Sequence, residues 1–133
     1  MRHFYLDTNF IVSYLYRRNE KQYTYARSYL CKAKELQIKL ILLTEIIIEV
    51  NYILGKVYKF QKNEIVIMLL SLVQTSYITL PEREILFSAL NDYKNHNVNL
   101  VDCILFTKAH ANGGEVLSFD TDFKKLKKKS PLS

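Results

Sequence analysis

The sequence predicts an α/β fold on a mostly parallel sheet, and three observations carry that prediction. Short apolar runs rich in Ile, Leu, Val and aromatic residues recur from one end of the chain to the other, and segments of helical spacing separate them. Strands alternating with helices argue for parallel pairing, with helices covering both faces of the sheet. The chain has 133 residues, 49% of them hydrophobic, which suits one domain around one core.

The first run, residues 3–6, is closed by Asp7-Thr8-Asn9 and reads as strand, then turn. Helical spacing follows over 10–17, with Ile11, Tyr14 and Leu15 on one side, and again over 21–36. Residues 40–43 form a second strand, after which Thr44 can cap a helix over 45–54 that Gly55 loosens. Asn63 caps a further helix ending at Val73. A third strand at 77–80 is stopped by Pro81. Helices are expected over 82–93 and 100–111, with a polar loop at 95–99 between them and Gly113-Gly114 ending the second. A fourth strand is expected at 115–119 and a short helix at 121–126. The domain is expected to span 1–126, with 127–133 as a basic tail.

Composition excludes several function classes. A domain of this length buries roughly two-thirds of the surface of its unfolded chain, so folding calls for no disulfide or structural metal. Cys31 and Cys103 stand without CxxC spacing and read as reduced thiols. The opening MRHFYLDTN puts an aspartate where a signal core would continue, and apolar runs such as 38–48 are short and interrupted. The expectation is a soluble, cytoplasmic protein with no membrane span. The formal charge is +6, of which Lys124, Lys125, Lys127, Lys128 and Lys129 supply five. Those lysines are either a solvated tail or a phosphate-backbone contact, and Lys124, Lys125 and Lys127 are the candidate RNA contacts.

Four acids stand out. Asp7, Glu49, Asp102 and Asp120 each sit within or at the end of a strongly apolar stretch: HFYLDTN, TEIIIEVNYIL, NLVDCILF and EVLSFDTDF. Desolvating a carboxylate is costly unless it is paired or bound to metal. Taken singly, each has an ordinary explanation: Asp7 as a turn former, Asp102 as a helix-start residue, one of Asp120 and Asp122 as an N-cap. Jointly, the ordinary explanations require four coincidences. In open α/β sheets ligands bind beyond the carboxyl ends of the strands, and Asp7 and Asp120 each follow a predicted strand. Four carboxylates gathered at one place repel one another unless a cation intervenes, and all-oxygen surroundings suit Mg²⁺ or Mn²⁺. Such a centre suggests phosphodiester hydrolysis.

With these residues in place the chain resembles the PIN-domain family, and most closely its small VapC-type toxin ribonucleases. Leu6-Asp7-Thr8-Asn9 is similar to the family's first motif, and residues 44–54 to its helix-borne glutamate motif, which selects Glu49 over Glu45. Leu100-Val101-Asp102-Cys103-Ile104-Leu105 resembles the third-acid helix. Phe119-Asp120-Thr121-Asp122-Phe123 resembles the fourth motif, with Ser118 two before the acid. The resemblance covers nearly the whole chain and rests on four motifs in order, none of them specific alone. It implies a three-layer α/β/α sandwich with a four- or five-stranded sheet, although residues 127–133 offer no apolar run for a last strand. It also implies a Mg²⁺- or Mn²⁺-dependent endoribonuclease acting on RNA. In that centre Asp7, Glu49, Asp102 and Asp120 are catalytic and metal-binding. Thr8, Asn9 and Ser118 orient them, and Asp122 supports or caps. A homodimer and a cognate antitoxin are the implied protein partners.

Other chemistries fit less well. His3, His96 and His110 lie in separate segments, no serine sits in a Gly-x-Ser-x-Gly elbow, and Gly113-Gly114 follows a helix instead of opening one. A phosphotransfer aspartate would want a second acid two residues on, where Asn9 stands. The competing class is a catalytically inactive PIN-like module that binds RNA or protein, with the acids only structural. Binding that persists in chelator without turnover would favour it.

Overall fold

Residues 1–127 are described by the computed structural model, and they fall into two compact units, 1–82 and the described residues from 83 onward. The expected RNA contact at the Lys127 side chain and the tail from 128 onward lie outside the described residues.

The first unit holds the sheet. Strand β1 (His3–Tyr5) leads into helices α1 (Thr8–Leu15) and α2 (Glu20–Lys34); β2 (Lys39–Ile41) leads into α3 (Thr44–Lys56) and α4 (Lys62–Val73); and β3 (Ile78–Thr79) completes it. The strands lie in the order β1-β2-β3, all parallel, with Phe4 opposite Leu40 and Leu40 opposite Ile78. The central position of β2 explains its composition, since Leu40, Ile41 and Leu42 are buried on both faces. Helices α1 and α3 pack on each other, and Ile11, Ile47, Val50, Leu54 and Leu69 fill the core.

Local chemistry sets the helix ends. Asp7 caps α1 and Asn19 caps α2, each accepting a backbone N–H three residues on. Two expected caps differ. Leu43, not Thr44, precedes α3 without a side-chain cap, and the Thr44 hydroxyl donates instead to the Glu82 carboxylate. Helix α4 is capped two residues before Asn63, at Gln61, whose N–H donates to Glu64 Oε1 at 2.8 Å.

The second unit is helical among its described residues: α5 (Arg83–Asn95), α6 (Leu100–Ala111) and α7 (Asp122–Lys127). Helices α5 and α6 form an antiparallel-type connection through a short loop, and Leu86, Ala89, Leu90, Cys103 and Ile104 close their seam. Phe123 and Leu126 bury the apolar side of α7 in the same unit. Gly113 ends α6 as its sequence requires, at φ +72°, the left-handed conformation that only glycine adopts freely. Both cysteines are free thiols, Cys31 exposed and Cys103 buried.

The α/β class and the parallel sheet stand as expected, but the strand count does not reach four. Residues 115–119 form no strand, and the sheet of the described residues has three. A strand is held by a ladder partner, and this segment has none; Leu117 is 99% exposed and Phe119 fully so. The strand expected at 115–119 leaves both side chains in solvent.

Candidate active site

In the first unit, the sheet positions Asp7. The Leu6 N–H still donates to Ile41 O at 2.9 Å, extending the ladder one residue past β1, so Asp7 is the first residue free of the sheet at its carboxyl edge. Its Oδ1 accepts the Phe10 N–H at 2.8 Å, while the rest of the carboxylate is exposed. Thr8 is buried and Asn9 exposed, and neither side chain hydrogen-bonds Asp7. The hydrogen bond that Asp7 makes is to the backbone of its helix. Glu49 projects from the exposed face of α3, opposite Ile47, Val50 and Leu54, as does Glu45 one turn before it.

In the second unit, three acids are brought together. One carboxylate oxygen from each of Asp102, Asp120 and Asp122 lies within 4.8 Å of the other two. Asp102 stands in the first turn of α6, and Asp120 and Asp122 at the entry to α7. The Asp122 N–H donates to Asp120 Oδ1 at 2.9 Å, closing a local turn just before α7. Asp122 places its own carboxylate in the cluster and pairs with Lys125 Nζ at 3.0 Å. Ser118 does support Asp120, its Oγ accepting the Asp120 N–H at 2.9 Å. It steadies the backbone there, not the carboxylate.

Burial, followed by the charges of Asp120 and Asp122, holds the Asp102 carboxyl above the usual aspartate range. The N-terminal turn of α6 pulls the other way, since a helix start favours negative charge. Burial and the two neighbours win. The donor set fits a hard divalent cation: three carboxylates, no nitrogen or sulfur. Asp102, Asp120 and Asp122 would be the residues to hold such an ion, which would supply a Lewis acid there. Beside it lies a cavity of about 390 Å³, bordered by Asp120, Ser118, Glu115, His110, Phe106 and Lys124.

A family model described as the PIN domain matches residues 4–129, almost the entire chain. The chain belongs to the PIN-domain family. Nuclease activity in general, and the use of divalent metals, come with membership of the PIN family. No curated protein and no solved structure gave a match to this PIN domain. Among its described residues, no helix is long and apolar enough to cross a membrane.

Sequence reasoning passed over two features of this PIN domain. Lys125, an expected RNA contact, is held by Asp122 and by Asn97 O at 3.4 Å, whereas Lys124 borders the cavity with no acid partner among the described residues. The signal was present in the spacing, because Asp122 and Lys125 lie three apart on one helix face. The second feature lies on α1 and α2, where residues 8–34 hold six basic residues against the single acid Glu20.

Proposed function

We propose that this PIN domain is a Mg²⁺- or Mn²⁺-dependent endoribonuclease and the toxin of a toxin–antitoxin pair. The observation that carries the nuclease reading is the Asp102–Asp120–Asp122 cluster, whose carboxylates lie close enough to repel and whose member Asp102 shows it. A divalent ion bound there supplies a Lewis acid for a phosphate oxygen and lowers the pKa of a coordinated water. Asp102 and Asp120 bind that ion, with Asp122 as a third ligand beyond its expected supporting part. Asp7 and Glu49 share the ion-binding and water-activating work by their match to the family's first two motifs. Ser118 fixes the Asp120 backbone, and Lys124, which borders the cavity, is a cation for a phosphate.

Support for a protein partner comes from the second unit's exposed apolar side chains, Val101 and Leu105 one turn apart on α6, and Leu117 and Phe119. An antitoxin that blocks the site, and a second copy in a homodimer, are the partners the family resemblance supplies. A short neighbouring gene for a small DNA-binding protein supports the toxin reading, and a solitary gene counts against it.

Cleavage of an RNA pool with Mg²⁺ tests the enzyme. The expected result is turnover that EDTA abolishes and that Asp7→Asn or Asp102→Asn lowers by more than about 100-fold, beyond the loss typical of a ligand's outer partners. Equal, EDTA-insensitive activity in wild type and both variants would sink the assignment.

A further inference from the structure

We propose that the groove between α1 and the start of α2 is a nucleobase-stacking track, which leads single-stranded RNA from Asp7 to a pocket walled by Tyr16, Arg18 and Tyr58. The identity of the polymer rests on the ribonuclease reading; the track rests on its own geometry. Two cavities flank α1. One of about 350 Å³ is bordered by Asp7, Lys21 and Tyr25, and one of about 240 Å³ by Tyr16, Arg18, Asn19 and Tyr58. Both are bordered by Asn9, Ser13 and Gln22, and the Ser13 hydroxyl donates to Gln22 Oε1 at 3.0 Å there, so the two cavities adjoin across that bond and the first of them begins at a proposed catalytic acid.

The far pocket has the parts that hold a base. The Arg18 guanidinium carbon lies 4.5 Å from the centroid of Tyr58 and 5.6 Å from that of Tyr16. Tyr16 in turn meets Tyr58 and Phe60 edge-on, at 5.2 and 5.0 Å, which fixes its ring. A planar cation over ordered aromatic rings is a surface on which any base can stack. The Asn9 amide and the NH₂ groups of Asn19 and Gln22 border it for base edges, while the Asn19 and Gln22 side-chain oxygens accept from the Gln22 N–H and the Ser13 hydroxyl.

Charge separates this pocket from an ordinary surface cluster. Arg17, next in sequence, is clamped in a two-bond ion pair with Glu20 at 2.9 and 3.0 Å and lies over Tyr23. Glu20 is the only acid among residues 8–34, so its charge is already taken. Among the described residues no acid pairs with Arg18 or Lys21. They keep their charge for a phosphate backbone, and a polar, cationic, aromatic lining fits a polyanion with stackable faces better than an apolar protein anchor.

The test is binding of a labelled single-stranded RNA of about ten nucleotides to the full chain in EDTA, where no metal-dependent turnover occurs. Tyr58→Leu should weaken binding on the order of tenfold while Tyr58→Phe retains it. Arg18→Ala should weaken it too, and lower the salt dependence by about one phosphate contact. In Mg²⁺, Arg18→Ala should raise KM and leave kcat unchanged. Circular dichroism checks that Tyr58→Leu folds; Arg18, on the surface, carries the test if it does not. Affinity within about twofold of wild type in both Tyr58→Leu and Arg18→Ala would overturn the track. So would substitutions that release a co-purifying protein and leave RNA binding intact. Wild-type protein that binds RNA through these residues but never cleaves it would instead remove the ribonuclease reading and leave the track standing.

Discussion

The two units hold their acids in opposite ways. In the first, Asp7 is satisfied by the Phe10 N–H at 2.8 Å and exposed to water, and Glu49 stands in solvent on the polar face of α3. Each is explained by its own helix. In the second, Asp102, Asp120 and Asp122 crowd within 4.8 Å, and Asp102 is half-buried with its carboxyl displaced upward. An N-cap contributes to folding whatever else it does. Repulsion among clustered carboxylates works against folding, beside the local bonds that Asp120 and Asp122 make, and a cation between them would relieve it.

The largest expected effect breaks the comparison at that point. Saturating Mg²⁺ or Mn²⁺, at about one hundred times its Kd, should stabilise the protein by about 2.7 kcal/mol. The melting temperature should rise by on the order of 10 °C, read by thermal unfolding with and without EDTA. Asp102→Asn should remove the rise and, without metal, melt above wild type because a buried repulsion is gone. The pH dependence has a definite sign. Asp102 holds its proton more tightly folded than unfolded, so the metal-free protein loses stability as pH climbs from the ordinary aspartate value through the raised one. Above that window the penalty is constant. Metal stabilisation should appear across the same window, as protons cease to compete with the ion. A metal-induced shift that is independent of pH there, or that survives Asp102→Asn, would detach the ion from this cluster.

A smaller effect probes the other side. Asp7→Ala removes the α1 cap and should cost about 1 kcal/mol by chemical denaturation, whereas Asp7→Asn keeps a capping oxygen and should stay within about 0.5 kcal/mol of wild type. Both variants should lose cleavage. Stability and activity thus separate at Asp7 as they cannot at Asp102, where a single charge disturbs both. Equal destabilisation by Ala and Asn would show that the Phe10 hydrogen bond is not what Asp7 contributes to the fold.

How much of this was legible in the sequence differs between the units for the same reason. Helices α1 to α6 and the three strands announce themselves through apolar spacing, because each buries a continuous face in a core. The order of the four motifs likewise shows in the apolar runs that carry them. What stayed illegible depends on polar geometry at short range. Leu117 and Phe119 alternate as a strand would, yet pairing requires a neighbouring strand, which no pattern within the segment can promise. Asp120 and Asp122 are both acids two apart, and the sequence does not tell that the Asp122 N–H donates to Asp120 Oδ1. The basic surface was misplaced for a different reason: five tail lysines dominate the net charge and hide the six cations of residues 8–34.

The smallest expected effect separates two adjacent lysines. Lys125 spends its charge on Asp122, at 3.0 Å and with both side chains partly exposed, a pair worth about 0–1 kcal/mol. Lys124 has no acid partner among the described residues and borders the cavity beside Asp120. Lys125→Met should therefore change stability by less than about 0.5 kcal/mol and leave the salt dependence of RNA binding as it was. Lys124→Met should leave stability alone and reduce that salt dependence by about 0.7 of a logarithmic unit, the share of one single-strand phosphate. The two variants differ by one position in sequence and by the presence of an ion pair in space. If their RNA affinities fall together, the pair with Asp122 opens when RNA binds, and Lys125 returns to the substrate contact its sequence suggested.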